Sequence, residues 1–297
     1  MSESDLPFGF ADRALNYGDG CFTTIAVIDA KPELLTQHFQ RLAHDADKLN
    51  ISLKNVSVVV PQYQHDVKTI QTTNWKESLV AMIKQVLSVH ATKDLVVKAL
   101  ISRGRGGRGY SPVGCDSTSI MLTVHSFPAE YKQMCARGID IAVAQFKLAR
   151  QPYLAGIKHL NRLEQVLIKQ ELSLESDVDD YLVCDQDDCV IEASAANVFW
   201  LDEDNRWCTP ALSHAGVNGV FRQFMLEYFR AQEIPVEVDN FTVERLNSIE
   251  SAFICNALMQ IMPVKSLRMG DGNKRTLDIK PIIMLGEKVK KAIELNA

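Results

Sequence analysis

Lys158 lies in the run Gly156-Ile157-Lys158-His159-Leu160-Asn161-Arg162-Leu163-Glu164. Asn161 followed by Glu164 has the form of a capping box, with Asn in place of the usual Ser or Thr. The spacing predicts that a helix opens there and that Lys158 stands in the loop just before it. A lysine held in such a loop can act as a nucleophile once deprotonated, and burial favours the neutral amine. Glu192 sits inside an apolar, strand-like run, Val190-Ile191-Glu192-Ala193. Alternation predicts that Ile191 and Ala193 face away from it. A carboxylate in such a run requires a cationic partner, for which a protonated ring nitrogen would serve. Gly216 and Gly219 flank Val217-Asn218 at the predicted start of a helix. Backbone N–H groups and the positive end of a helix dipole suit a phosphate there. Arg41 could add a charged fork to the same phosphate. Taken singly, each feature has an ordinary reading: a surface lysine, a strand glutamate facing solvent or paired with an arginine, glycines before a helix, a solvated helix arginine.

These groups need elements to hold them. Residues 21–29 read as a strand, followed by a turn at Ala30-Lys31-Pro32. Leu35, Phe39, Leu42, Ala46 and Leu49 predict a helix over 35–50, and Leu79, Met82, Ile83, Val86 and Leu87 a second over 75–90. Strands are expected at 95–102, running into a glycine-rich segment, and at 119–125. In the second half a strand at 139–146 is followed by a loop at 156–159. A helix over 161–173 has Leu160, Leu163, Leu167 and Leu174 on one side. Short antiparallel strands are expected at 181–184, 190–193, 198–201 and 206–209, then a helix from Gly216 and Gly219 through Arg230. A last strand at 251–256 precedes a C-terminal helix. Mixed strands and helices in both halves predict two α+β domains, 1–124 and 131–297, joined by a linker at 125–130 and flanking a cleft.

The chain has 297 residues, 46% of them apolar, and a net charge of −5. That length suits two domains. The acidic balance is unlike a nucleic-acid binder. The segment Arg103-Gly104-Arg105-Gly106-Gly107-Arg108-Gly109-Tyr110 has the look of an RGG-type RNA-binding tract, but it is short and follows a strand. No apolar run is long enough for a membrane span, and Met1 to Phe10 lacks the pattern of a secretory signal. The seven cysteines form no CxxC pair, the usage of a reduced, cytoplasmic protein. No spacing suggests a metal site.

Together, in this order, the features resemble the fold-type IV pyridoxal-phosphate enzymes, a D-amino-acid aminotransferase-like α+β fold with the cofactor in the interdomain cleft. The resemblance runs from Asn16-Tyr17-Gly18-Asp19-Gly20-Cys21-Phe22-Thr23-Thr24 to Phe253-Ile254-Cys255-Asn256-Ala257-Leu258. It implies pyridoxal 5'-phosphate bound covalently to Lys158 and a ring nitrogen paired with Glu192. It also implies a phosphate held by Arg41 and the backbone of Val217 and Asn218, with Asn256 nearby. Within the family, Lys158-His159-Leu160-Asn161-Arg162-Leu163-Glu164-Gln165-Val166 looks like the aminodeoxychorismate lyases. So does Ser102-Arg103-Gly104-Arg105-Gly106-Gly107-Arg108-Gly109-Tyr110-Ser111.

In those enzymes the arginine loop approaches a small dicarboxylate substrate. Guanidinium groups match carboxylates, so Arg108 and Tyr110, with Arg103 and Arg105, become candidate substrate-binding residues, as does Thr23. The reaction implied is conversion of 4-amino-4-deoxychorismate to 4-aminobenzoate and pyruvate, with Lys158 as base. The leaving group's proton is left open among Lys158, a water and the hydroxyls of Thr23 and Thr24. The alternative on the same scaffold is an aminotransferase for branched-chain or D-amino acids. The family resemblance also implies a homodimer.

Overall fold

The structure is a computed structural model and describes residues 9–61, 67–90 and 92–296. Residues 1–8, which bear most of the expectation about a secretory signal, lie outside these. The chain divides into two compact units, one of Met1–Phe127 with Ile157–Asn161, the other of Pro128–Gly156 with Arg162–Ala297. The lysine segment therefore packs with the first unit, although sequence order places it among residues of the second.

The first unit contains α1 (Arg13–Tyr17), β1 (Gly20–Ile28), β2 (Lys31–Pro32), α2 (Leu35–Lys48), β3 (Val56–Pro61), β4 (Val67–Thr72), α3 (Trp75–Val89), β5 (Leu95–Ser102) and β6 (Thr118–Ser126). Its six-stranded sheet runs β2-β1-β5-β6-β3-β4. β1 lies antiparallel on β5 from Gly20↔Ser102 to Val27↔Leu95. The expected helical stripes face the core: Leu42 and Ala46 of α2 and Leu79, Met82, Ile83 and Val86 of α3 pack with Ile25, Val97, Ile101 and Leu122. Burying each large side chain contributes about 1.5–3 kcal/mol. The sequence reading left out β3 and β4, and residues 125 and 126 end β6 instead of starting a linker.

The second unit contains α4 (Glu130–Arg137), β7 (Ile139–Val143), α5 (Leu163–Leu172), β8 (Asp180–Cys184), β9 (Val190–Ala193), β10 (Asn197–Leu201), β11 (Trp207–Pro210), α6 (Val220–Ala231), β12 (Val236–Asp239), a 3-10 helix (Val243–Ser248), β13 (Ser251–Asn256), β14 (Gln260–Arg268), β15 (Lys274–Thr276) and α7 (Lys280–Asn296). The nine-stranded sheet runs β12-β11-β10-β13-β14-β7-β8-β9, with β15 on β14. Both units thus have the α+β character expected.

Two expectations for this part of the chain are corrected. The strand at 251–256 is not the last: the chain turns at Gln260, φ 52°, into β14, which pairs with β13 and with β7. The capping box does not form. α5 opens at Leu163 without a side-chain cap, because Asn161 Nδ2 donates to Gly18 O in the first unit and Glu164 Oε1 accepts from Ala149 N–H. Of the leucines on one side of that helix, Leu163, Leu167 and Leu174 are exposed, and Ile168 is the buried residue of α5.

Candidate active site

Lys158 is positioned by its backbone. Its carbonyl accepts from Phe22 N–H at 3.0 Å, and Leu160 N–H donates to Gly20 O at 3.0 Å. His159 forms an antiparallel bridge with Cys21. The segment therefore extends the edge of β1 that β2 pairs only at Val27 and Ile28. Gly20 has to be glycine for this packing, since a Cβ there would sit 2.1 Å from Ile101 O and 2.8 Å from a Leu160 methyl. The N–H of Lys158 donates to Asp45 Oδ2 at 2.9 Å, and its Nζ lies 4.7 Å from the centre of the Phe22 ring.

Asp45, fully buried on α2, is a residue the sequence reading missed. Besides Lys158, it faces Arg41 Nε at 3.6 Å. The i,i+4 spacing of Arg41 and Asp45 was the available signal. Arg41 is itself buried. Thr23, also buried, has its hydroxyl 2.6 Å from Nδ1 of buried His38. Burial, with the positive charges of Arg41 and Lys158, pushes His38 down to about 3, so the imidazole is neutral at physiological pH.

The arginine-rich loop is organised from below by Arg13, another buried residue that spacing did not reveal. Its guanidinium donates to the carbonyls of Gly106, Gly109, Tyr110 and Ser111 and to Asp19. Arg103 donates to the same Asp19 oxygen and to the carbonyls of Leu49 and Asn50. Its guanidinium therefore fastens the foot of the loop. Arg108 and Tyr110 are exposed, and Tyr110 meets Tyr17 edge-on at 5.5 Å.

Burial acts to raise the Asp19 carboxyl, but the guanidinium groups of Arg103 and Arg13 outweigh it and hold Asp19 below its usual range. A depressed carboxyl stabilises the fold above its unfolded value, and that contribution is lost as pH falls through the folded value. Denaturant titrations from about pH 5 downward should therefore show the wild type losing more stability than Asp19→Asn. Parallel losses would exclude the fork as a source of acid sensitivity.

Glu192 occupies β9, whose residues are all buried, so the strand is covered on both faces. Its Oε2 accepts from Val217 N–H at 2.8 Å. Gly216, at φ 80°, makes that turn: a Cβ would sit 2.5 Å from Ile191 Cγ2 and 3.3 Å from Glu192 Oε2. Asn218 N–H donates to Gly156 O and Gly156 N–H to Gly216 O. Asn197 braces the loop at both ends, donating to Val217 O and accepting from Gly219 N–H. The N–H groups of Val217 and Asn218, which the resemblance assigns to a phosphate, thus turn inward to Glu192 and Gly156. The N-terminal turn of α6 follows directly, and its N–H groups have no intrahelical acceptor. Asn256 ties down its own turn, accepting from Leu258 and Met259 N–H and donating to Ala195 O.

The first unit thus holds an amine fixed through its backbone, and the second holds a buried carboxylate and a glycine turn at a helix N-terminus. Each is the kind of group that suits one part of an aldehyde cofactor with a cationic ring and a phosphate. The chain belongs to the amino-transferase class IV family, whose model matches residues 20–267. It is 34% identical over 267 residues to an aminodeoxychorismate lyase of Vibrio harveyi, covering 90% of this chain and 89% of that one. The fold is similar to the crystal structure of 4-amino-4-deoxychorismate lyase from Pseudomonas aeruginosa, with a TM-score of 0.79, 28% identity, and 96% and 95% of the two chains covered. It also matches the PLP-bound form of a hypothetical aminotransferase from Mycobacterium tuberculosis, with a TM-score of 0.75, 19% identity, and 100% and 96% covered.

The family is pyridoxal-phosphate dependent. The residues present fit that group. Lysine suits the aldehyde, and the carboxylate of Glu192 suits a protonated ring nitrogen. A Cβ at Gly216 would sit 3.3 Å from Glu192 Oε2, so the glycine lets the loop close on the carboxylate.

Proposed function

We propose that this enzyme converts 4-amino-4-deoxychorismate to 4-aminobenzoate and pyruvate. The observation that carries the reading is the 34% identity to the Vibrio harveyi lyase across 90% of the chain. Lys158 would hold pyridoxal phosphate through Nζ, Glu192 would face its ring nitrogen, and Arg41 and the N–H groups of the first turn of α6, which the Val217-Asn218 loop leads into, would serve its phosphate, with Asn256 fixing an adjoining turn. When bound, the cofactor supplies an electron sink for the carbon that bears the substrate amine.

Lys158 Nζ would serve as the base that takes the proton from that carbon. The ring carbon–oxygen bond to the enolpyruvyl group would break as the ring becomes aromatic, and the proton taken up by Lys158 would return to the leaving enolpyruvate to give pyruvate. Arg108 and Tyr110 would receive the substrate carboxylates, and Arg103 would hold the foot of their loop. Thr23, tied to neutral His38, would line the wall behind the lysine.

The test couples the purified protein to a synthase that makes aminodeoxychorismate. The expected result is 4-aminobenzoate released without any added 2-oxo acid. Product that appears only when a 2-oxo acid accepts the amino group would replace the lyase by an aminotransferase.

The proposal includes a cytoplasmic homodimer. Seven free cysteines support the compartment. Exposed Leu163, Val166 and Leu167 on one face of α5 support the dimer, since contiguous apolar faces mark interfaces. Sedimentation equilibrium should give twice the chain mass, and Val166→Asp should shift it toward the single chain. A wild-type monomer at micromolar concentration would contradict this.

A further inference from the structure

Arg222 lies in the first turn of α6 and is 5% exposed. Its guanidinium donates to Asn218 Oδ1 at 2.9 Å, to Pro210 O at 2.8 Å and to Thr209 Oγ1 at 3.4 Å. These acceptors are all neutral. No carboxylate among the described residues pairs with it, and the first turn of α6 carries no acidic residue. Two physical costs coincide here. A buried guanidinium without a counter-ion is expensive. A cation in the first turn also opposes the positive end of the helix dipole. Burial pushes Arg222 down to about 10, which still leaves it charged at neutral pH. A bound dianion at the helix N-terminus would relieve both costs at once.

We propose that Arg222 is a positioning residue for the cofactor phosphate, supplying buried positive charge behind the Val217-Asn218 loop and fixing which way the Asn218 carboxamide faces. Because Oδ1 of Asn218 accepts from Arg222, the amide's Nδ2 donor is directed away from the guanidinium. Arg222 touches the loop and not the reacting atoms. This inference rests on the cofactor assignment above, and it concerns phosphate recognition alone.

The experiment compares affinities of the apoprotein for pyridoxal phosphate and for pyridoxal, which has the same aldehyde and ring but no phosphate. The wild type should prefer the phosphorylated form. Arg222→Met should weaken pyridoxal phosphate binding by about ten- to hundred-fold, the loss expected for a charge-assisted contact, and leave pyridoxal binding unchanged. Arg222→Lys, which keeps the charge and loses the fork, should fall between. Asn218→Asp, at a half-exposed loop position that folding tolerates more readily, should neutralise the guanidinium and lose the same preference. Variants that keep the wild-type affinity ratio, or that lose both ligands together, would make Arg222 a brace between α6 and β11 only. A wild type that binds neither ligand overturns the cofactor assignment first, so the two failures are distinguishable.

Discussion

Lys158→Ala is expected to lose turnover almost completely and to lose the covalent link to pyridoxal phosphate, while the protein stays folded. The backbone that positions the residue does not depend on its side chain. Phe22 N–H still donates to the carbonyl of residue 158, and the residue's own N–H still reaches Asp45. Among the contacts removed is the one between Nζ and the Phe22 ring at 4.7 Å, worth about 0.5–1 kcal/mol at such a site. Chemistry loses far more. A positioned base contributes about 10²–10⁴-fold, and the covalent anchor disappears with it.

Borohydride treatment followed by peptide mass spectrometry should find the cofactor on Lys158 in the wild type and nowhere in the variant. The melting temperature should move by only a few degrees. Cofactor trapped on another lysine of the wild type would remove Lys158 from the proposed role. A variant that melts far earlier would mean that the side chain holds the edge of β1 together.

Lys158, Glu192 and the Gly216 turn were visible in the sequence because each is announced by its immediate neighbours. What stayed hidden is long-range. Asp45 reaches Lys158 across 113 positions, and Arg13 reaches the carbonyls of the arginine-rich loop across 93 to 98, so no local spacing could link them. Asn161 and Glu164 had the form of a helix start, but both have partners elsewhere, in Gly18 O and Ala149 N–H. A short polar side chain takes whichever backbone group tertiary packing brings to it.

The missed strand β14 has a similar cause. Pro263 inside the run Ile261-Met262-Pro263-Val264 argues against a central strand. Here Pro263 pairs with Phe253 on β13, while pairing with β7 begins one residue later, at Val264↔Ile139. The strand tolerates the missing N–H because it lies just before that second ladder.

Glu192→Gln is expected to keep the fold and the loop and to slow the reaction by roughly a hundred- to a thousand-fold, the scale of removing one preorganised electrostatic partner. Glutamine has the size of glutamate and retains an oxygen that can accept from Val217 N–H, the bond that Oε2 makes at 2.8 Å. The negative charge goes, and one acceptor oxygen becomes an NH2 donor. The carboxylate is buried in a strand covered on both faces, where a charge acts through little intervening water, so its removal should be felt in kcat more than in the affinity for pyridoxal phosphate.

Glu192→Ala provides the contrast. It also strips the acceptor from the Val217 N–H, leaving a buried donor unmet at a cost of about 1–3 kcal/mol, and should weaken cofactor binding and thermal stability together. Equal behaviour of the two variants, with both losing affinity and neither losing kcat, would reduce Glu192 to a brace for the Gly216 turn. A kcat loss in the glutamine variant with cofactor affinity retained would assign Glu192 to the chemistry through its carboxylate, because the glutamine keeps the acceptor for Val217 N–H and lacks the charged acceptor oxygen.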